Sequence, residues 1–142
     1  MVFSLYIIIV RKTRKGEHIV KNKSQLPDIT TALDNLVQKL TENTDARHAR
    51  SMPERIGKVK YIYSTRGSRF IKVQSVDSTY TDNAKPRINC FVERMTGDIY
   101  KPATWRQPYT KGDNAVRGNV YDPETFKDAG PYGGWLYYKE DK

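Results

Sequence analysis

The sequence predicts an α+β domain: a small antiparallel sheet of about four to six strands with one amphipathic helix packed on a face. Three observations predict it. Between Ile29 and Leu40 the apolar residues recur at helical spacing. KVKYIY (58–63) and RFIKVQSV (69–76) are β-rich runs separated by STRGS, a glycine-containing turn, which sets a hairpin at 58–76. RINCFVER (87–94) passes through MTGD into IYK, which sets a second hairpin at 87–101. A length of 142 residues fits a single domain with a core that needs no metal or disulfide. Its expected parts are a basic N-terminal segment (1–23), a core (24–138) and a short tail (139–142).

The first ten residues, MVFSLYIIIV, are apolar and are followed by RKTRK. As a helix they would rise only about 15 Å, half of a bilayer core. A secretory signal would carry its cations before the apolar run. No membrane span and no signal peptide are therefore expected. Phe3 to Val10 reads as a buried strand, because Ile7, Ile8, Ile9 and Val10 are β-branched. A membrane-surface anchor is the functional alternative.

Ile29, Ala32, Leu33, Leu36, Val37 and Leu40 form one apolar stripe, which predicts a helix over about 28–41. Asp28 or Ser24 is the candidate N-cap, with Pro27 at or before the first turn. Asp34, Gln38, Lys39 and Glu42 make its solvated face. In the first hairpin, strand alternation puts Lys58 and Lys60 opposite Val59, Tyr61 and Tyr63. It also puts Phe70, Lys72 and Gln74 opposite Arg69, Ile71 and Val73. DSTYTDNAKP (77–86) reads as a loop. Gly97 occupies a turn position that calls for positive φ. Pro102 ends the second hairpin, since it cannot donate to a ladder. VRGNVYD (116–122) predicts a last short strand. Trp135, Leu136, Tyr137 and Tyr138 are placed to cover a sheet edge.

The chemistry is dominated by cations. The net charge is +9. Residues 47–72 hold eight Lys/Arg against the single acid Glu54. Such a balance favours polyanionic partners. Cys90, the one cysteine, lies in the apolar run INCFV and reads as an inert buried thiol. His18 and His48 sit among cations, and His48 within ARHAR reads as solvent-exposed. No nucleophile–base motif, zinc spacing or phosphate-binding glycine motif is present. No catalytic residue, metal ligand or cofactor is assigned. A metal-dependent nuclease using Glu93 and Asp98 near Lys101 ranks last, because those carboxylates read as cross-strand partners of Arg94 and Lys101.

Nucleic-acid binding, largely independent of sequence, ranks first. Lys/Arg–phosphate contacts supply polyanion affinity, and aromatic faces add stacking on bases. The candidate contacts are Arg50, Lys58, Lys60, Arg66, Arg69, Lys72, Lys101, Trp105, Arg106 and Arg117. Trp105 also reads as a core plug from an incoming loop, which is the favoured account of that residue alone. Arg117-Gly118-Asn119 reads as a turn before it reads as a phosphate-contacting loop.

FVERMTGDIYKPATW, VRGNVYD and GPYGGWLYY together resemble a group of short bacteriophage and environmental-virus proteins of no assigned function. Their shared pattern is TGDxYKPA[ST]W, then RGNxxD, then GGxLY. The likeness covers roughly residues 58–138 and leaves out the first 23 residues and the helix. It implies a virus-encoded protein, located in the host cytoplasm or the virion. A second reading is a virion or assembly protein, a homo-oligomer or a partner of other virion proteins, in which the Tyr-rich sheet and the WLYY tail contact protein and edge strands such as Phe3–Val10 pair between subunits.

Overall fold

A computed structural model of the chain describes residues 9–13, 16–20, 28–66 and 69–137, the first two stretches by their backbone alone. Strands β1 (Ile9–Thr13) and β2 (Gly16–Val20) form an antiparallel hairpin with Val10 opposite Ile19. The strand expected at Phe3–Val10 lies outside the described residues except for Ile9 and Val10, which begin β1.

Helix α1 spans Ile29–Ser51, ten residues beyond the end that its apolar stripe suggested. Asp28 is its N-cap residue but makes no side-chain cap bond; its carbonyl accepts from the Ala32 N–H at 3.0 Å. The predicted stripe faces the core: Ala32, Leu33, Leu36 and Leu40 are buried, with Ile29 and Val37 packed at its margin. The same face continues through Thr44 and His48, each four residues on, and both are buried. Thr44 is satisfied by the Tyr61 hydroxyl at 2.6 Å. His48 is 1% exposed, and neither ring nitrogen finds a hydrogen-bond partner among the described residues, which corrects its reading as a surface cation. The helix stops where Pro53 disfavours helical geometry at Met52 (φ −146°, ψ 73°) and opens a short 3-10 turn, Pro53–Arg55.

The main sheet is a five-stranded antiparallel meander, an α+β fold as the sequence predicts. It runs β3 (Val59–Tyr63), β4 (Phe70–Asp77), β5 (Arg87–Glu93), β6 (Asp98–Tyr100) and β7 (Gly118–Asn119), in chain order. Helix α1 covers its inner face, where Val59, Tyr61, Ile71, Val73, Cys90, Val92 and Ile99 complete the main core. The register pairs Val73 with Cys90 but Gln74 with Ile88, so Asn89 is an extra residue on β5. That bulge re-aims the strand. It lets Cys90 and Val92 face inward while Ile88 and Phe91 join the outer face. Burial raises the Cys90 thiol pKa well above its ordinary value, as expected of an inert thiol.

The second hairpin turns at Gly97, whose φ is +77°. A Cβ there would lie 2.7 Å from the Tyr121 ring, so both backbone conformation and space call for glycine. The C-terminal segment enters the main core through Phe126, Ala129 and Leu136, with Trp135 packed beside them. Asn43 on α1 holds it by donating to the carbonyls of Lys127 (2.9 Å) and Ala129 (2.8 Å). The expected covering of a sheet edge by 135–138 is thus, for Leu136 and Trp135, insertion into the core; Tyr138 lies outside the described residues.

Tyr63 ties sheet to helix by donating to Asp34 Oδ1 at 2.6 Å. Burial, then the bond to Asp34, push its pKa up from 10.0 to about 12. The fold therefore favours the neutral phenol. Its contribution is complete below pH 10 and is lost as pH rises toward about 12. Urea denaturation at about pH 8 and about pH 11 should show a stability loss that is smaller in Tyr63→Phe than in the wild type, the remainder coming from the buried Cys90 thiol and from Tyr61 and Tyr121, whose pKa values are also raised. Equal losses in the two proteins would remove Tyr63 as its source.

Candidate functional site

The outer face of the sheet carries a second, smaller apolar cluster. Phe91, Tyr100 and Ala115 are buried in it, with Phe70, Ile88 and Val116 packed around them. Cross-strand pairing builds it: Lys72 lies opposite Phe91, and Phe91 opposite Tyr100. Phe70 meets Tyr100 edge-on, with ring centroids 5.8 Å apart and planes at 87°.

The segment after β6 folds back over this face as a closed loop. Pro102 bridges Pro108, and the Tyr109 N–H donates to the Lys101 carbonyl at 2.8 Å. At the tip the Thr104 hydroxyl accepts from the N–H groups of Arg106 and Gln107, both at 3.1 Å. The N–H groups of Ala103 and Thr104 donate to the Gln107 carbonyl at 2.9 and 3.1 Å. A serine or threonine is what that tip needs, since either supplies the accepting oxygen. The loop presents Trp105 and Arg106 side by side. Trp105 is 47% exposed, and the Lys72 ammonium stands 4.5 Å from its ring centroid. The tryptophan is a loop-tip residue over the sheet, not the core plug that its surroundings in sequence favoured.

Between loop and sheet lies a groove of about 380 Å³. Phe70, Lys72 and Phe91 line it from the sheet; Arg106, Gln107, Pro108 and Thr110 line it from the loop. Arg69 stacks 5.0 Å over the Phe70 ring and donates to Glu93 Oε2 at 2.6 Å. Thr96 also donates to Glu93, at 3.1 Å. Glu93, beside this cluster, is therefore occupied by a cation and a hydroxyl, and adds little repulsion toward an anion.

Of the ten residues that sequence singled out, five gather on or around this face. Lys72 and Arg106 line the groove and Trp105 leans on Lys72. Arg69 flanks Phe70, and Lys60 shares the outer face on β3. Lys58 is exposed just before β3, and Arg66 is exposed in the loop between β3 and β4. The other three are not brought to the groove. Arg50 is on the last turn of α1, on the far side of the sheet, beside Arg47 and Lys127 in a separate hollow of about 240 Å³. Lys101 is drawn between two tyrosine rings, 4.8 Å from Tyr109 and 4.4 Å from Tyr137. Arg117 is 8% exposed, and its N–H donates to the Ile99 carbonyl, so it belongs to the sheet framework. Sequence reasoning did not count Phe70, Gln107 or Thr110 among the contacts. The alternation that put Phe70 beside Lys72 was a usable signal for the first; nothing local marked the other two.

Among the described residues the acidic side chains do not gather into a site. Asp98 accepts from Asn119 Nδ2 at 3.0 Å, and Glu93 is held as described. Among the described residues no group of three or more His, Cys, Asp or Glu side chains is placed to hold a metal ion. Among the same residues no helix is long and apolar enough to cross a membrane.

Residues 15–138 match a family of unknown function, DUF7717. The match takes in α1 as well as the sheet, a wider span than the 58–138 of the viral resemblance. No curated protein and no solved structure matches the chain.

Proposed function

The chain belongs to this family of unknown function, and on that premise we propose that it is a virus-encoded, non-enzymatic protein that binds nucleic acid largely without regard to sequence. The observation that supports this most is the convergence of Lys72 and Arg106 on one groove beside the half-buried Phe70, with the Trp105 ring against Lys72. Cations that neutralise phosphates release counterions, and this gives affinity without base readout. Lys60, Lys58 and Arg66 extend the positive surface beyond the groove, and the net charge of +9 attracts a polyanion from a distance. Viral origin rests on the shared TGDxYKPA[ST]W, RGNxxD and GGxLY pattern, and with it the host cytoplasm or virion as the place of action.

Fluorescence anisotropy with a labelled oligonucleotide, titrated with salt, tests the proposal. Affinity should fall steeply between about 50 and 200 mM salt. Lys72→Ala and Arg106→Ala should each weaken binding on every sequence tried and reduce the log–log salt slope by about 1. Absence of binding even at about 50 mM salt would sink the reading.

The assembly reading has its own observation. Among the described residues β3 has one strand neighbour, β4, and it exposes Ile62. Such an edge can pair with a second copy or with another virion protein. Light scattering separates the two readings: a salt-resistant oligomer that ignores oligonucleotide favours assembly.

A further inference from the structure

The geometry points to single-stranded nucleic acid as the ligand, with one unpaired base held in the 380 Å³ groove; this rests on the nucleic-acid reading above. The groove sits near the low end of small-molecule pocket sizes, roughly 300 to 1,000 Å³, which suits one nucleotide unit. Its sheet side offers the half-buried Phe70 ring, backed by the buried Phe91, and it is walled on the loop side by Arg106, Gln107, Pro108 and Thr110. A paired and stacked base offers only its groove edge, which cannot reach an aromatic ring beneath a loop; an unstacked base can.

The polar lining points the same way. Gln107 carries both donor and acceptor groups, and so does the Thr110 hydroxyl. Each can meet whichever base edge is presented, which is compatible with weak sequence preference. The cations stand at the groove itself: Lys72 is steered there by the Trp105 ring at 4.5 Å, and Arg106 is the next residue along the loop. The backbone phosphates flanking an inserted base would meet both. Trp105 keeps 47% of its surface open and offers a second stacking platform for the neighbouring base. Glu93, already bonded to Arg69 and Thr96, leaves the phosphate path without an unpaired acid beside Phe70.

The test uses the full chain and four labelled probes at one salt concentration. These are a thymidine strand, a uridine strand, a strand of abasic units of the same length and charge, and a hairpin duplex. At least one of the two base-bearing strands should bind about tenfold more tightly than the abasic strand and the duplex, and a gap with either sugar supports the proposal. Trp105→Ala, at an exposed loop tip, and Phe70→Leu, which keeps an apolar side chain in the cluster, should each narrow that gap by weakening the base-bearing strands more than the abasic strand. Equal affinity for abasic and base-bearing strands overturns the inserted base, and so does tighter duplex binding or an unaltered gap in both variants; the charge-driven reading survives each of these. Failure of every probe to bind overturns both.

Discussion

Phe126→Ala should lower the unfolding free energy by about 3 to 5 kcal/mol, as expected when a fully buried phenylalanine leaves a cavity. Phe126 is 2% exposed and belongs to the main cluster with Leu33, Leu36 and Leu40 of α1 and Ile99 of β6. It arrives there from a short 3-10 turn, Pro123–Phe126, whose entry is fixed by the Asp122 carboxylate accepting from the Glu124 N–H at 3.2 Å. The Asn43 bonds to Lys127 and Ala129 follow immediately in sequence. The segment is therefore anchored on both sides of Phe126, and collapse around the missing ring is restricted. Restricted collapse places the cost toward the upper part of the range. Urea unfolding read by tryptophan fluorescence measures it. A loss below about 1 kcal/mol would show that the segment beyond β7 contributes little to the core.

The helix shows where sequence periodicity carries an argument and where it ends. From Ile29 to Leu40 burial and apolarity coincide, and the stripe was legible. At Thr44 and His48 burial continues but the residues are polar, so a reading based on apolar spacing stopped two stripe positions too soon. Thr44 is tolerated because Tyr61 bonds to it, a partner 17 residues away that no local pattern reveals. Pro53 carries the stop signal, but the reading from apolar spacing, ending at about residue 41, did not use it. The strands of the main sheet were read well because their signal is local: alternation set Lys60 and Lys72 on one face, and Gly97 marked the turn; β2 was not predicted.

The groove was legible only in part, for a physical reason. Which way the loop after Pro102 folds depends on the Pro102–Pro108 bridge, the Thr104 tip and the attraction of Lys72 for Trp105. The first two lie within the loop, but the third joins residues 33 apart. Without it the core was the favoured place for Trp105. Such a cation–π contact contributes about 0.5 to 1 kcal/mol when exposed, too little to dictate a fold but enough to choose one face for a loop already closed. Arg50, grouped with the other cations by charge alone, lies elsewhere because α1 and the loop occupy opposite faces of the sheet.

The Arg117-Gly118-Asn119 motif acts through its last residue, and Asn119→Leu should cost about 2 to 4 kcal/mol. Asn119 is 1% exposed. Its Nδ2 donates to the Thr96 carbonyl and to Asp98 Oδ1, both at 3.0 Å, while its Oδ1 accepts from the Tyr121 N–H at 2.8 Å. One side chain thus joins the turn before β6, the start of β6 and the chain leaving β7. Leucine is close in size but offers none of these bonds, so three polar groups lose a partner in a place that water does not readily reach. Loss of partners at buried groups costs more than the bonds contribute net, which sets the expected magnitude. Gly97 and Tyr121 meet in the same corner, so a shift in the Tyr121 backbone would press its ring on the turn. Denaturation of the variant measures the loss. Asn119→Asp is the informative companion: it keeps the acceptor for Tyr121 but replaces the donor to Asp98 with a second carboxyl, and should destabilise at neutral pH by at least as much as leucine. Wild-type stability in either variant would mean that the motif is a surface turn and that Asp98 is held by other groups alone.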